Sequence, residues 1–219
     1  MTKKISRRQL AGQLGILAGG ASVLGPRIAG AMVQTPGQVE GPFYPPPPHG
    51  ETDVDLTLLD GHDETATGDV IFVRGRVFGV DGQALANARV DIWQANHWGR
   101  YAHPEDPNTD MPLDPHFQGI GVALTDADGY YGFKTILPAP YPLTAMGGDG
   151  WRARHIHFKV AAGEDRKLTT QMYFAGDPLL EDDLAYNAAP EDSRHLLVTS
   201  PVADADTGIP VHRFDIVLA

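Results

Sequence analysis

Two histidines stand two residues apart in the segment WRARHIHF, residues 151–158. Side chains alternate between the two faces of a β-strand, so His155 and His157 point the same way if this segment is extended. Ile156 and Phe158 then take the opposite face, where they can enter a core. Two imidazoles on one rigid face form half of a metal site, but paired histidines also occur as packed or surface residues. The remaining ligands therefore have to come from elsewhere in the chain.

Two tyrosines lie in loops whose glycine or proline neighbours restrict the backbone. Tyr101 stands in the sequence GRYAH, and Tyr141 stands in PAPYP. A restricted frame lowers the entropy that is lost when a side chain is fixed to a metal ion. Each tyrosine taken alone is more typical of a packing residue, because tyrosine is commonly part-buried. Their significance depends on whether the fold carries them to the histidines.

The elements that must position these side chains are short and rich in β-forming residues. The chain has 219 residues, 42% of them hydrophobic, which suits one compact domain, and its 25 glycines and 18 prolines favour strands and loops. We predict an all-β fold, a single two-sheet β-sandwich with long active-site loops. The expected strands are residues 70–78, 88–93, 119–125, 130–135, 155–158, 168–174, 195–199 and 211–218. The turn DADG at 126–129 predicts that 119–125 and 130–135 form a hairpin.

The first 31 residues have the pattern of an export signal. Arg7 and Arg8 precede a weakly apolar run at 11–25, and AGA at 29–31 resembles a cleavage site. The paired arginines favour a twin-arginine signal, which carries folded proteins, over an ordinary secretory signal or an uncleaved anchor. We therefore expect a periplasmic or extracellular protein that is not inserted in the membrane after signal cleavage.

The mature chain is strongly acidic. Residues 1–31 contain five basic and no acidic residues, so their removal leaves 188 residues and changes the formal net charge from −11 to −16. Such a chain is a poor partner for nucleic acid or an anionic membrane. Cysteine is absent, which excludes disulfides, thiolate metal sites and a cysteine nucleophile.

An extended arm is expected ahead of the sandwich. Residues 32–68 contain EGPFYPPPP at 40–48, and the prolines restrict the backbone and lack amide donors. The adjacent Phe43 and Tyr44 indicate that the arm lies over a surface, because a plain linker has little use for two aromatic residues. The sandwich itself is then assigned to residues 69–219.

The order of these motifs resembles that of the intradiol ring-cleavage dioxygenases, and the protocatechuate 3,4-dioxygenase branch more than the catechol 1,2-dioxygenases. The resemblance runs through nearly the whole mature chain. It rests on TPGQVEGPFY at 35–44, IWQAN at 92–96, GRY at 99–101, TDADG at 125–129, PYP at 140–142, WR at 151–152, HIHF at 155–158, TQMYF at 170–174, GDP at 176–178 and RFDIVL at 213–218.

The resemblance implies a non-haem iron(III) held by two tyrosines, two histidines and a solvent hydroxide. The protein ligands would be Tyr101, Tyr141, His155 and His157. Two phenolates and one hydroxide cancel three positive charges, and a trivalent cation lowers the phenol pKa enough for phenolate to bind at neutral pH. Oxygen donors favour iron(III), whereas zinc more often combines histidine with carboxylate or thiolate.

The resemblance also implies the reaction and the residues that assist it. A catechol would bind through both oxygens and displace Tyr141, and with O₂ its ring would open to a cis,cis-muconate-type diacid. Arg152 matches the arginine that stabilises developing negative charge, and Gln171 matches a glutamine beside the metal ligands. The residues expected to contact the substrate are Trp93, Leu143 and Tyr44.

Two departures from the family pattern bear on the substrate. Leu143 follows the PYP motif where the protocatechuate enzymes have a tryptophan, and Trp98 stands where they have a small residue. A catechol without a carboxylate, or a larger plant-derived one, is compatible with these changes. The family usually has Pro-Ala between the arginine and the first histidine, whereas this chain has Ala153 and Arg154. Strand alternation directs Arg154 away from the metal. The sequence leaves open which catechol is used, whether the chain forms a homo-oligomer and whether a partner subunit completes the pocket.

Two other classes of protein share parts of this pattern. A secreted transthyretin-like binding module would need the sandwich but not Tyr101, Tyr141 and the histidine pair together. An extradiol iron(II) oxygenase would need two histidines and one carboxylate, and the two loop tyrosines speak against it.

Overall fold

The computed structural model describes residues 31–47 and 49–219, so the expected export signal lies outside the described residues apart from Ala31. In this described part of the chain the helical elements are short: the helix α1 (Leu184–Asn187) and the 3₁₀ turns Thr144–Met146, Leu180–Asp182 and Arg194–Leu197. Within these residues the strands are β1 (Val70–Gly79), β2 (Arg89–Trp93), β3 (Ile120–Leu124), β4 (Tyr130–Ile136), β5 (Tyr141–Pro142), β6 (Trp151–Arg152), β7 (His155–Ala162), β8 (Arg166–Phe174), β9 (Val198–Thr199), β10 (Pro201–Ala203), β11 (Pro210–Arg213) and β12 (Ile216–Leu218).

The strands form two main sheets. One has the order β10-β11-β1-β12, with β4 added antiparallel along β1. The other has the order β3-β2-β7-β8-β9, and β5 pairs with β6 in a separate two-stranded ladder. The all-β, two-sheet fold predicted from the sequence is confirmed.

The core lies between the two sheets. In β7, Ile156, Phe158 and Val160 are fully buried and belong to the same apolar cluster as Val73 and Phe133 of the opposite sheet. The expectation that Ile156 and Phe158 enter the core is therefore met, because the two-residue period of a strand sends alternate side chains to one face. The other face of β7 is left for polar side chains.

The predicted hairpin between residues 119–125 and 130–135 is wrong. β3 pairs with β2, whereas β4 pairs with β1, so the DADG turn carries the chain from one sheet to the other. The Asp126 carboxylate accepts hydrogen bonds from the amides of Asp128 and Tyr130 at 2.9 Å each, and the Gly129 carbonyl accepts one from Val77 at 2.9 Å. These contacts direct the second strand onto β1 instead of back along β3.

Two further segments differ from the sequence prediction. A 3₁₀ turn occupies Arg194–Leu197, so only Val198 and Thr199 of the expected strand 195–199 are extended. The expected strand 211–218 is divided into β11 and β12, because the Phe214 amide turns toward β1 and donates to the Arg74 carbonyl at 2.9 Å. Any side chain at Gly75 would collide with the Phe214 carbonyl, so this approach requires glycine.

Residues 31–47 and 49–69 pack on the sandwich without forming strands of their own. The amide of Gln38 donates to the Thr169 carbonyl of β8 at 2.8 Å, and Phe43 is buried. Farther along, Leu56 is fully buried and joins the central core. The division of the chain at residue 69 stays a prediction. Among the described residues, no helix has the length and apolar character needed to cross a membrane.

Candidate metal centre and active site

The two histidines lie on the face of β7 that points away from the core. Trp93 of β2 and Gln171 of β8 stand directly opposite His157, and Tyr173 of β8 stands opposite His155. Residues directly opposite in a sheet share a face, so these five side chains form one polar and aromatic patch. The imidazole centroids of His155 and His157 are 4.8 Å apart, and both residues are only 2% exposed.

The loop between β2 and β3 brings Tyr101 to this patch. The Tyr101 amide donates to the Asp106 carboxylate at 2.7 Å, which holds the loop. Gly99 has φ of 86° and packs against the Pro140 carbonyl, where a Cβ would approach to 2.6 Å. This close approach requires glycine and brings the two tyrosine loops together. The rings of Tyr101 and Tyr141 are consequently 5.7 Å apart.

The phenol oxygen of Tyr101 contacts one histidine directly. Tyr101 Oη lies 3.2 Å from His155 Nε2. His155 Nδ1 lies 2.7 Å from the Ala153 carbonyl, so we assign the ring proton to Nδ1 and leave Nε2 as an acceptor. The Tyr141 ring is 5.7 Å from the His155 ring. The structure thus brings together all four residues that the sequence analysis nominated as metal ligands.

Burial controls the protonation of these four side chains. Desolvation lowers the pKa of His155 and of His157, and the nearby Arg152 charge acts in the same direction. Desolvation also raises the pKa of Tyr101 and Tyr141, against which the Arg152 charge acts. Imidazole therefore stays neutral, which is its metal-binding form, while the phenols need a bound cation to ionise.

His157 has a buried polar atom that makes no hydrogen bond within the described part of the chain. This atom is Nδ1, and the His157 ring stacks on Trp93 with ring centroids 4.7 Å apart and an interplanar angle of 9°. Within residues 31–47 and 49–219, no cluster of three or more histidine, aspartate or glutamate side chains is placed to hold a metal ion. The side chains that could hold one here are two imidazoles and two phenols.

Arg152 reaches the site through the small ladder of β5 and β6. It stands directly opposite Tyr141 in that ladder, and Ala153 and Arg154 separate it from the start of β7. The odd spacing between Arg152 and His155 therefore does not place them on opposite faces of one strand. Arg154 is held elsewhere, because its amide donates to Asp177 Oδ2 at 2.9 Å.

The Arg152 guanidinium is fixed by two buried partners. Its Nε donates to Asp183 Oδ2 at 2.8 Å, and its Nη2 donates to Gln171 Oε1 at 2.6 Å. Gln171 Oε1 also accepts from the Tyr173 hydroxyl at 3.0 Å. Sequence reasoning nominated Arg152 and Gln171 but missed Asp183. An aspartate before the helical turn LAYN is a helix-cap signal, yet nothing in the sequence connects it with an arginine 31 positions earlier.

The three residues nominated for substrate contact have different surroundings. Trp93 is fully buried and, with Tyr101, borders a cavity of about 450 Å³. The Tyr44 hydroxyl donates to Asp91 Oδ2 at 2.9 Å, and the Tyr44 ring is perpendicular to that of Trp93 with the ring centroids 4.9 Å apart. Leu143 packs against the apolar cluster that contains both Tyr101 and Tyr141. Substrate contact by these three residues stays a prediction.

Known proteins are similar to this chain in sequence. The family model described as Dioxygenase matches residues 39–219. The protocatechuate 3,4-dioxygenase beta chain of Burkholderia cepacia is 41% identical over 180 residues, which cover 81% of this chain and 76% of that protein. The chain belongs to the intradiol dioxygenase family. Catechol 1,2-dioxygenase 2 of Acinetobacter lwoffii is 37% identical to this dioxygenase over 198 residues, 80% of this chain and 67% of that protein.

Solved structures agree with the family assignment. The dioxygenase domain of a dioxygenase carbohydrate-binding protein fusion from Streptomyces sp. SirexAA-E has a TM-score of 0.61 at 28% identity, covering 84% of this dioxygenase and 97% of that chain. Catechol 1,2-dioxygenase from Acinetobacter sp. ADP1 has a TM-score of 0.63 at 35% identity, and the match covers 84% of this dioxygenase and 62% of that chain. The dioxygenase spans only half the length of the catechol 1,2-dioxygenase of Acinetobacter baylyi. The expectation of an intradiol enzyme is confirmed over that of a non-catalytic transthyretin-like module.

Proposed function

We propose that this protein is an iron(III)-dependent dioxygenase that cleaves the ring of a catechol-type substrate between its two hydroxyl-bearing carbons, with O₂ as co-substrate and a cis,cis-muconate-type diacid as product. The observation that carries the proposal is the convergence of two buried phenols and two buried imidazoles. Tyr101 Oη lies 3.2 Å from His155 Nε2, and His157 and Tyr141 complete the group. Membership of the intradiol family supports the same reaction.

The donor set suits iron(III). Tyr101 and Tyr141 supply hard oxygen atoms, and His155 and His157 supply neutral nitrogen atoms. Since all four side chains are buried, a net charge at the centre would be costly, and two phenolates with one hydroxide neutralise a trivalent ion. When bound, iron(III) supplies Lewis acidity that draws electron density from the catecholate and prepares its ring for O₂.

Tyr141 is the residue that we assign to proton exchange with the substrate. Its phenol oxygen can accept the proton that a catechol hydroxyl would lose if the substrate took the place of Tyr141 in the ligand set. Arg152 stands opposite Tyr141 in the β5–β6 ladder, and its charge opposes the rise in the pKa of Tyr141 that burial causes. The same guanidinium lies where it can stabilise negative charge that develops on the substrate. Gln171 holds it in that place through the 2.6 Å hydrogen bond.

Leu143 and its neighbours favour an apolar ring substituent or none. Leu143 and Met146 pack on the cluster that contains Tyr141 and Trp93, so this wall offers methyl and thioether groups to a ligand. The buried cation opposite Tyr141 in the ladder is Arg152, and its Nε is already paired with Asp183 Oδ2 at 2.8 Å, so no unpaired cation is provided there for a ring carboxylate. We therefore propose a catechol without a ring carboxylate as the substrate. For the enzyme itself we propose no nucleic-acid partner and a homo-oligomeric assembly.

Oxygen uptake with a panel of catechols tests the reaction. We expect tyrosinate–iron(III) colour, one O₂ consumed per catechol, and a diacid that carries both atoms of ¹⁸O₂ in its mass spectrum. Arg152→Ala should keep the iron and its colour but turn over about a hundredfold more slowly, the usual effect of losing one charge-stabilising donor. A yellow semialdehyde product, which arises from cleavage beside the diol, would refute the intradiol reaction.

We also propose that residues 1–31 direct export of the folded enzyme by the twin-arginine route. Arg7 and Arg8 before a weakly apolar run support this proposal. The double substitution Arg7→Lys and Arg8→Lys should retain the precursor in the cytoplasm, as followed by cell fractionation. Normal export of that double variant would reject the twin-arginine route.

A further inference from the structure

The carboxylate of Asp183 is fully buried and makes four hydrogen bonds. Its Oδ2 accepts from Arg152 Nε at 2.8 Å and from the Ala153 amide at 2.9 Å. Its Oδ1 accepts from the amides of Ala185 and Tyr186, both at 2.9 Å, and so caps helix α1. The two oxygens therefore have separate partners, one on the Arg152 segment and one on the helix.

We propose that Asp183 is a positioning residue for the ring-cleavage reaction, which acts by holding the Arg152 guanidinium in its catalytic orientation. This inference rests on the proposed function, in which Arg152 stabilises negative charge on the substrate. Asp183 itself hydrogen-bonds Arg152 and backbone amides, and its effect on the reaction passes through Arg152.

The element that carries Arg152 needs such support. β6 has only two residues, and Trp151 beside Arg152 is 47% exposed. A ladder of two residues supplies few hydrogen bonds, and an arginine side chain has many rotamers. Asp183 contacts both the guanidinium and the amide that follows Arg152, so it restrains the side chain and its backbone together.

The geometry on the far side of the guanidinium supports the same role. Arg152 Nε donates to Asp183 Oδ2, and Arg152 Nη2 donates to Gln171 Oε1 at 2.6 Å. Gln171 is in turn held through its Nε2, which donates to the Val39 carbonyl at 2.9 Å. A planar guanidinium with fixed partners at two nitrogens has a defined plane, whereas one partner alone would permit rotation. Displacement of a charged group by about 1 Å is enough to reduce turnover strongly.

Asp183→Ser separates the positioning role from the helix cap. Serine is among the preferred residues at helix N-caps, so its hydroxyl can still accept from the α1 amides. Its side chain is too short and uncharged to hold the Arg152 guanidinium. In the iron-loaded enzyme we expect kcat to fall about tenfold or more, with KM changed less than about threefold and the visible band retained.

A double-mutant cycle with Arg152→Ala provides the decisive measurement. If Asp183 acts through Arg152, then Asp183→Ser has no further effect on kcat once Arg152 is replaced. Should Arg152→Ala fail to fold with the unpaired aspartate, Arg152→Gln takes its place in the cycle. An equal fall in kcat in both backgrounds, or an unchanged kcat in Asp183→Ser alone, would overturn the proposal.

The neighbouring pair of Arg154 and Asp177 is a matched control. Asp177 Oδ2 accepts from the Arg154 amide at 2.9 Å, and Asp177 Oδ1 accepts from the Leu179 amide at 3.0 Å. Asp177→Asn thus removes the charge of a similar aspartate that does not contact Arg152, and its kcat should stay within about twofold of wild type. A fall in kcat as large as that of Asp183→Ser would mean that any loosening of this region lowers turnover, which would overturn a specific role for Asp183.

A readout independent of turnover comes from the metal-free protein. Denaturant unfolding of the single and double variants should show coupling between Arg152 and Asp183. The double variant should lose less free energy of unfolding than the sum of the losses in the two single variants. Absence of coupling would mean that the two residues do not form the pair in solution, and would also overturn the proposal. A wild-type enzyme that cleaves no catechol would instead reject the proposed function, a result distinguishable from every outcome of the cycle.

Discussion

Replacement of Tyr44 by phenylalanine tests whether this residue supports the site or binds substrate. The Tyr44 hydroxyl donates to Asp91 Oδ2 at 2.9 Å, and the Tyr44 ring packs perpendicular to Trp93, which stacks on His157. Burial and the hydrogen bond to Asp91 raise the pKa of Tyr44 to about 12, so the hydroxyl remains a donor throughout the working pH range. Tyr44→Phe deletes this donor and keeps the ring.

The expected loss follows from the charge and exposure of the two partners. A hydrogen bond to a charged group contributes about 1.5–3 kcal/mol, and the half-buried position of Tyr44 places the value near the lower end. Asp91 keeps its ion pair with Arg89 at 2.7 Å, which limits the cost of the missing donor. We therefore expect the free energy of unfolding to fall by about 1.5 kcal/mol and Tm to fall by about 3–6 °C.

Denaturant unfolding and steady-state kinetics of the same preparation provide the assay. Tyr130→Phe is the control, because Tyr130 is also half-buried under a cation, Arg76 in place of the Lys159 that covers Tyr44. The Tyr130 hydroxyl has no hydrogen-bond partner among the described residues. That control should change stability by less than about 0.5 kcal/mol. For Tyr44→Phe, KM should stay within about twofold of wild type. A large rise in KM without loss of stability would refute the supporting role and favour direct substrate contact.

Three other perturbations have defined outcomes. His157→Ala should reduce the iron content, measured by elemental analysis, from one to well below one per chain. Tyr141→Phe should keep part of the iron and shift the visible absorption band. Equal iron content in wild type and His157→Ala would exclude this ligand set. Phe158→Ala should lower the free energy of unfolding by about 3–5 kcal/mol in denaturant titrations, because the ring is fully buried against Phe214 at 4.9 Å, and a loss below about 1 kcal/mol would contradict that packing. Burial lowers the pKa of His212, so as pH falls His212 is protonated in the unfolded chain before it is protonated in the folded chain. The free energy of unfolding should therefore decrease as pH drops below about 6.5. His212→Asn should flatten part of that fall, and an identical pH profile in both proteins would remove His212 as its source.

The residue types and their local spacing were sufficient to predict much of the site. Strand alternation placed His155 and His157 on one face and sent Phe158 to the core, because a two-residue period is a property of the backbone itself. The glycine and proline frames around Tyr101 and Tyr141 were visible in the sequence for the same local reason. The resemblance of ordered motifs then predicted the family.

Only the tertiary structure decided how distant segments meet. The pairing of β3 with β2 and of β4 with β1 depends on which sheet each strand can cover, so the local turn signal predicted the wrong partner. The contact between Asp183 and Arg152 joins residues 31 positions apart, and that between Tyr44 and Asp91 joins residues 47 apart. Such contacts arise when the sandwich closes and buried polar groups must find partners, a requirement of the whole fold that no local pattern records.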